Sequence, residues 1–89
     1  MDVVFLVCVE AAGDGSRAGI RRRLAAWRAE PCLDRCWMIS DNTTSRIVYD
    51  TLAQEIDDQD RLLVCEVPAD AVWYNLRCET TPATAATEP

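Results

Sequence analysis

Apolar residues run without a break from Val3 to Val9, and most are β-branched or aromatic. A segment apolar on both of its alternating faces predicts a strand covered on both sides, at or near the middle of a sheet. Glu10 closes the run ahead of the turn-rich Ala11-Ala12-Gly13-Asp14-Gly15, where Asp14 or Ser16 can cap a following helix. From Arg17 to Glu30 the period changes: Ile20, Leu24 and Trp27 fall at i, i+4 and i+7, on one helical face. Gly19 weakens the first turn of that helix slightly, and Pro31 after its last turn supplies the stop.

A second strand is predicted over Leu33 to Ser40, with Cys32-Leu33-Asp34-Arg35 as a short strand or hairpin arm before it. Asp41-Asn42-Thr43-Thr44 is a turn that offers helix caps. Ser45 to Ile56 then carries Val48, Leu52 and Ile56 at a spacing of four, with Tyr49 alongside, as a second amphipathic helix. After the charged loop Asp57-Asp58-Gln59-Asp60, Arg61 to Val67 reads as the last strand, and Pro68-Ala69-Asp70 starts a short turn or helix bearing Val72, Trp73 and Leu76. Beyond Cys78 the chain is rich in Thr, Ala and Pro and has nothing to bury, which predicts a disordered tail.

Strand, helix, two strands, helix, strand is the ferredoxin-like split βαβ order. The expectation is an α+β, ferredoxin-like βαββαβ single domain over residues 1–78, an antiparallel sheet with two helices on one face, and a tail over 79–89. The first and last strands, being the most apolar, would take the two central positions. The face opposite the helices would need a partner, which favours a homodimer.

Composition changes the picture in four ways. The net charge of −6 argues against general affinity for nucleic acid, which depends on Lys and Arg displacing counterions, while leaving room for a local basic patch. All 9 basic residues are Arg, the side chain that grips phosphate or carboxylate with two donors. The chain has no His, so the commonest general base, the commonest zinc ligand and every Ser-His or Cys-His nucleophile pair are missing. Five Cys, at 8, 32, 36, 65 and 78, cannot all pair within one chain. Cys8 and Cys65 sit in apolar runs, as small hydrophobes do, and the Cys32/Cys36 spacing suits neither a Cys-x-x-Cys redox pair nor a zinc knuckle. The start Met1-Asp2-Val3-Val4-Phe5 lacks the basic region of a signal peptide, and no apolar stretch approaches a membrane span. The expectation is a reduced, cytoplasmic protein without membrane contact.

Leu33-Asp34-Arg35-Cys36-Trp37-Met38-Ile39-Ser40-Asp41, Asp58-Gln59-Asp60-Arg61-Leu62-Leu63-Val64-Cys65-Glu66-Val67 and Ala71-Val72-Trp73 together resemble a family of small CRISPR-associated endoribonuclease-like proteins, the Cas-two and SinR-like group. The first block looks like that family's Leu-Asp-Ser-Thr-Trp-Ile-Val-x-Thr-Asp segment, the second like its Asp-Arg-Leu-Leu-Val-Val strand, and the third like the Ala-Ala-Trp that follows. The resemblance covers about half the chain, from Cys32 to Leu76, and the first helix by pattern alone. It implies a ferredoxin-like homodimer in which an Asp at the end of the first strand, one per subunit, binds a divalent metal near the dimer axis. That Asp normally follows a Tyr; here the matching positions are Val9 and Glu10.

The candidate catalytic and metal-binding residue is therefore Glu10, with Asp14 nearby; two symmetric copies would hold Mg²⁺ or Mn²⁺ and activate water without a His. Arg21 and Arg22, with Arg17, Arg23 and Arg28, give the first helix a basic outer side, either for phosphate contact or as a solvated face paired with carboxylates. Trp37 and Trp73 match the family blocks and are expected to brace the sheet or a dimer contact, and Trp27 to join the core. Asp34 is a turn-capping candidate, and Asp57, Asp58 and Asp60 form a loop without the spacing of a calcium site. The expected function is a nucleic-acid-related role, with RNA or DNA as partner and weak or degenerate metal-dependent endoribonuclease activity. The alternative is a non-catalytic acidic dimeric adaptor or inhibitor that binds a protein partner.

Overall fold

In the computed structural model, which describes residues 2–77, β1 (Val3–Glu10) is hydrogen-bonded on both sides. α1 (Asp14–Ala26), β2 (Glu30–Leu33), β3 (Cys36–Asp41), α2 (Ser45–Ala53) and β4 (Arg61–Glu66) follow in chain order. The four strands form one sheet in the order β2-β3-β1-β4, every pair antiparallel. The described residues are α+β, with two helices.

The alternation of β1 divides the core. Phe5, Val7 and Val9 are buried in one cluster with Ile20 and Leu24 of α1, Ile39 of β3, and Val48 and Leu52 of α2. Both helices therefore cover the same face, as their period-four stripes require. On the other face Val4 is buried with Cys32 and Met38, and Leu6, Cys36, Val67 and Leu76 pack around them.

That second face is not left bare, as the sequence suggests. The chain after β4 turns back over it: the Val67 amide donates to the Val4 carbonyl at 2.8 Å and the Arg77 amide to the Cys32 carbonyl at 3.0 Å. Pro68–Ala71 makes a single turn, with a 3.1 Å bond from the Ala71 amide to the Pro68 carbonyl, and no helix forms there. Cover is incomplete towards β4, where Leu63 is 58% exposed.

Four further expectations are corrected. β4 lies at the sheet edge rather than the centre; Leu62 and Val64 pack on the core while Leu63 between them faces solvent, so its apolar run conceals a one-sided strand. α1 stops at Ala26, not Glu30. Arg28 takes a left-handed conformation, φ 57°, which ends the helix there, and Glu30-Pro31 enters the edge strand β2, where a missing N–H breaks no ladder bond. Neither Asp14 nor Ser16 caps α1, whose N-cap is Gly13 with no side-chain bond. α2 is capped by Thr44, whose hydroxyl accepts from the Ile47 amide at 3.2 Å. α2 also ends early, at Ala53, although Ile56 still packs on the core. Gly19 permits a close approach: a Cβ there would collide with the Glu55 carboxylate. The tail expected over residues 79–89 lies outside the described residues.

Two substitutions gauge this architecture in equilibrium denaturant unfolding. Leu52→Ala, in the fully buried core, is expected to cost about 2–5 kcal/mol. Thr44→Ala, which removes only a cap, is expected to cost about 1 kcal/mol.

Candidate functional site

Where β1 ends, the chain gathers side chains from four places. Register sets Glu10 opposite Arg61 at the start of β4. The tight turn from β2 to β3 brings in Arg35, held at φ 62°, with its carbonyl accepting from the Val9 amide at 2.9 Å. The first turns of α1 add Arg17 and Arg21, and β3 adds the half-buried Trp37. Between them lies an open cleft of about 560 Å³. Its charged lining is four arginines against Glu10, so the cleft is strongly positive on an acidic protein.

The arginines differ in how far they are engaged. Glu10 lies between two of them, its Oε2 3.7 Å from Arg35 and its Oε1 3.6 Å from Arg61. These groups are largely exposed, so the pairs are weak and readily exchanged for another anion. Arg17 donates from Nε to the Ala11 carbonyl at 3.0 Å and reaches Asp14 at 3.4 Å. Arg21 lines the cleft and makes no ion pair within the described residues.

The cleft's border is held by Asp60. Its carboxylate accepts from the Ala12 amide at 2.9 Å and the Asp57 amide at 3.0 Å, joining the loop after β1 to the loop before β4. These two backbone bonds, with a third from the buried Ser16 hydroxyl, hold the Asp60 carboxyl below its ordinary value of 3.8. The acidic loop thus serves structure; Asp57 likewise accepts from the Gln59 amide at 3.1 Å.

Of the residues singled out in the sequence, Glu10, Arg21 and Trp37 meet at this cleft. Asp14 does not line it; that side chain is fully exposed beside Arg17. Arg22 turns to Glu55 at 3.8 Å, next to the Arg23–Glu55 pair at 2.9 Å, so it belongs to the contact between the helices. Trp73 is 38% exposed and stands apart from the cleft. Trp27 packs against the core. Asp34 pairs with Arg77 at 3.0 Å. Arg35 and Arg61 are the site residues that sequence reasoning missed; both lie inside the blocks carrying the family resemblance, but only strand register reveals that they converge on Glu10.

The donor set does not fit Mg²⁺ or Mn²⁺ within one subunit. Both Glu10 oxygens face guanidinium groups, which repel a second cation, and Asp14 is directed elsewhere. Among the described residues no three thiol or carboxylate groups converge on a common cation position. No protein-family model, no curated protein and no solved structure matches this chain. No helix among the described residues is long and apolar enough to cross a membrane.

The Asp60 bonds give a pH dependence of definite sign. A carboxyl with a lowered folded pKa stabilises the fold above its unfolded value, and the contribution is lost as pH falls through the folded one. Unfolding free energy, measured by denaturant titration from pH 5 to pH 2 (about the range in which aspartates titrate), is expected to fall in the wild type. Asp60→Asn should fall less steeply over the same window.

Proposed function

We propose that this protein is a cytoplasmic, ferredoxin-like homodimer whose cleft at the end of β1 binds the phosphate backbone of RNA or DNA, a non-catalytic or weakly catalytic version of the role implied by the Cas-two and SinR-like resemblance. For the fold, the support is the strand order β2-β3-β1-β4 with antiparallel pairing throughout, in which each βαβ crossover skips one strand, as a split βαβ unit does. For the dimer, the support is apolar surface at Leu63, Val72 and Tyr74, which are 58%, 95% and 84% exposed.

The observation that carries the binding function is the sorting of the arginines. Arg22, Arg23, Arg46 and Arg77 are in ion pairs with Glu55, Asp50 and Asp34. Arg17, Arg21, Arg35 and Arg61 line one cleft that contains a single carboxylate, Glu10, shared by Arg35 and Arg61; Arg17 reaches Asp14 outside the cleft, and Arg21 makes no ion pair among the described residues. Guanidinium groups bind phosphate with two donors, and Trp37 at the wall offers an aromatic surface for a base. Glu10 sits where an anion would be attracted and competes for Arg35 and Arg61; this is the behaviour of a gate on an anion site more than of a metal ligand. The competing reading, an acidic adaptor that binds a protein, draws on the net charge of −6 and predicts no nucleic-acid binding.

Fluorescence anisotropy with labelled single-stranded RNA and DNA separates these readings. Affinity is expected to fall with salt. Arg21→Ala and Arg35→Ala should each weaken binding about fivefold, equivalent to about 1 kcal/mol, Arg22→Ala should leave it unchanged, and Glu10→Gln should strengthen it. No binding at low salt, or equal loss from Arg22→Ala and Arg21→Ala, contradicts the proposal. Cleavage with Mg²⁺ that disappears in Glu10→Ala would instead establish the nuclease.

A further inference from the structure

Cys8 and Cys36 are 28 residues apart in sequence, and their sulfur atoms lie 3.1 Å apart. The two residues are direct cross-strand partners on β1 and β3. The Val9 amide bonds to the Arg35 carbonyl, and Val9 and Arg35 are the next opposed positions along the ladder, which makes theirs the hydrogen-bonded pair. Pairs alternate along an antiparallel ladder, so Cys8 and Cys36 occupy the non-hydrogen-bonded position, where the Cα atoms approach to about 4.5 Å and the side chains are closer still. That separation lies within the range a disulfide spans. Both residues are half-exposed, on the sheet face away from the helices.

We infer that Cys8 and Cys36 form a reversible cross-strand disulfide, and that the oxidant is a small zwitterionic disulfide of the glutathione type. The choice of oxidant rests on the surroundings of the pair: Cys8 and Cys36 line a shallow pocket of about 290 Å³ whose charged lining is Arg35 and Arg61 with Glu10 and Asp34. Such a pocket admits a small zwitterionic molecule, whose carboxylates can meet the arginines and whose ammonium groups can meet Glu10 and Asp34. The inference is independent of nucleic-acid binding.

Burial first, then the hydrogen bond and the neighbouring thiol Cys36, push the Cys8 thiol up to about 12. The exchange balances in the same way from either thiol, and starting from Cys36 it runs in two steps. The Cys36 thiolate attacks one sulfur of the small disulfide, forming a mixed disulfide and expelling one small thiolate, which takes up a proton. Cys8 then gives its proton to a base in solution and attacks the Cys36 sulfur, forming the Cys8–Cys36 bond and expelling the second small thiolate. One small disulfide is reduced to two thiols, and two protein thiols are oxidised to one disulfide. Cys65 is opposite Leu6 and diagonal to Cys8, which is opposite Leu63, so it is the worse partner.

The test equilibrates the full-length protein in buffers of defined reduced-to-oxidised glutathione ratio, traps remaining thiols with N-ethylmaleimide, and maps the products by intact and peptide mass spectrometry. The expected product carries two N-ethylmaleimide groups fewer than the trapped reduced protein, with the Cys8 peptide joined to the Cys36 peptide, and before trapping it melts several degrees higher than the reduced protein. Cys8→Ser should stop at a glutathione adduct on Cys36, and Cys65→Ser should behave as wild type. A lasting glutathione adduct on wild-type Cys36, a linkage of either cysteine to Cys32, Cys65 or Cys78, or no oxidation in fully oxidised buffer would overturn the inference. The wild-type map decides the matter even where a serine variant fails to fold.

Discussion

Everything in this fold depends on β1 being paired along both edges and covered on both faces. A strand in that position must be apolar at every residue between its ends, and Val3 to Val9 meets the requirement. Its odd positions tie α1 and α2 to one side of the sheet. Its even positions support the returning segment around Val67 and Leu76 on the other. Because β1 runs antiparallel to both neighbours, the end of β1 coincides with the beginnings of β3 and β4. A side chain just past the core at that end therefore meets residues from the start of each neighbour, which is how Glu10 comes to lie between Arg35 and Arg61.

Charge follows the same geometry. A protein with six excess negative charges has carboxylates to spare, and the arginines away from the β1 rim are mostly taken up by them, as at Arg23–Glu55 and Arg77–Asp34. Exposed pairs of this kind contribute about 0–1 kcal/mol each, so they matter less for stability than for silencing positive surface. At the rim the balance reverses. Asp60 is engaged by the amides of Ala12 and Asp57, Asp14 reaches Arg17 from outside the cleft, and Glu10 is the one carboxylate lining the cleft with four guanidiniums. The acidity of the whole chain and the positive cleft are thus compatible, the first confining the second to one place.

How much of this was legible in the sequence depends on whether the signal is local. The period of Ile20 and Leu24, and of Val48 and Leu52, placed both helices and the face each buries, and Thr44 was within the turn expected to cap α2. The six elements come in the expected order. Positions within the sheet were less legible. Leu62-Leu63-Val64 reads as a doubly covered strand, yet Leu63 is exposed at the edge, because a short apolar run does not report how many neighbours it has. Pro31 read as a helix stop when it lies in a strand. Of the site, Glu10, Arg21 and Trp37 were singled out, whereas Arg35 and Arg61 were not, since their meeting is a consequence of register. The closeness of Cys8 to Cys36 was hidden for the same reason: the eye pairs Cys32 with Cys36 by spacing, and the ladder pairs Cys36 with Cys8.

The central claim is that one rim of the sheet, built by the end of β1, is the binding surface. Amide chemical-shift mapping during titration with a short single-stranded RNA tests it most directly. The account predicts that the shifts concentrate in Val9–Ala12, the first turns of α1 around Arg17 and Arg21, the Arg35 turn and the start of β4 at Arg61. Shifts centred instead on the contact around Glu55, on α2 or on the segment after β4, or no shifts at all at low salt, would contradict it.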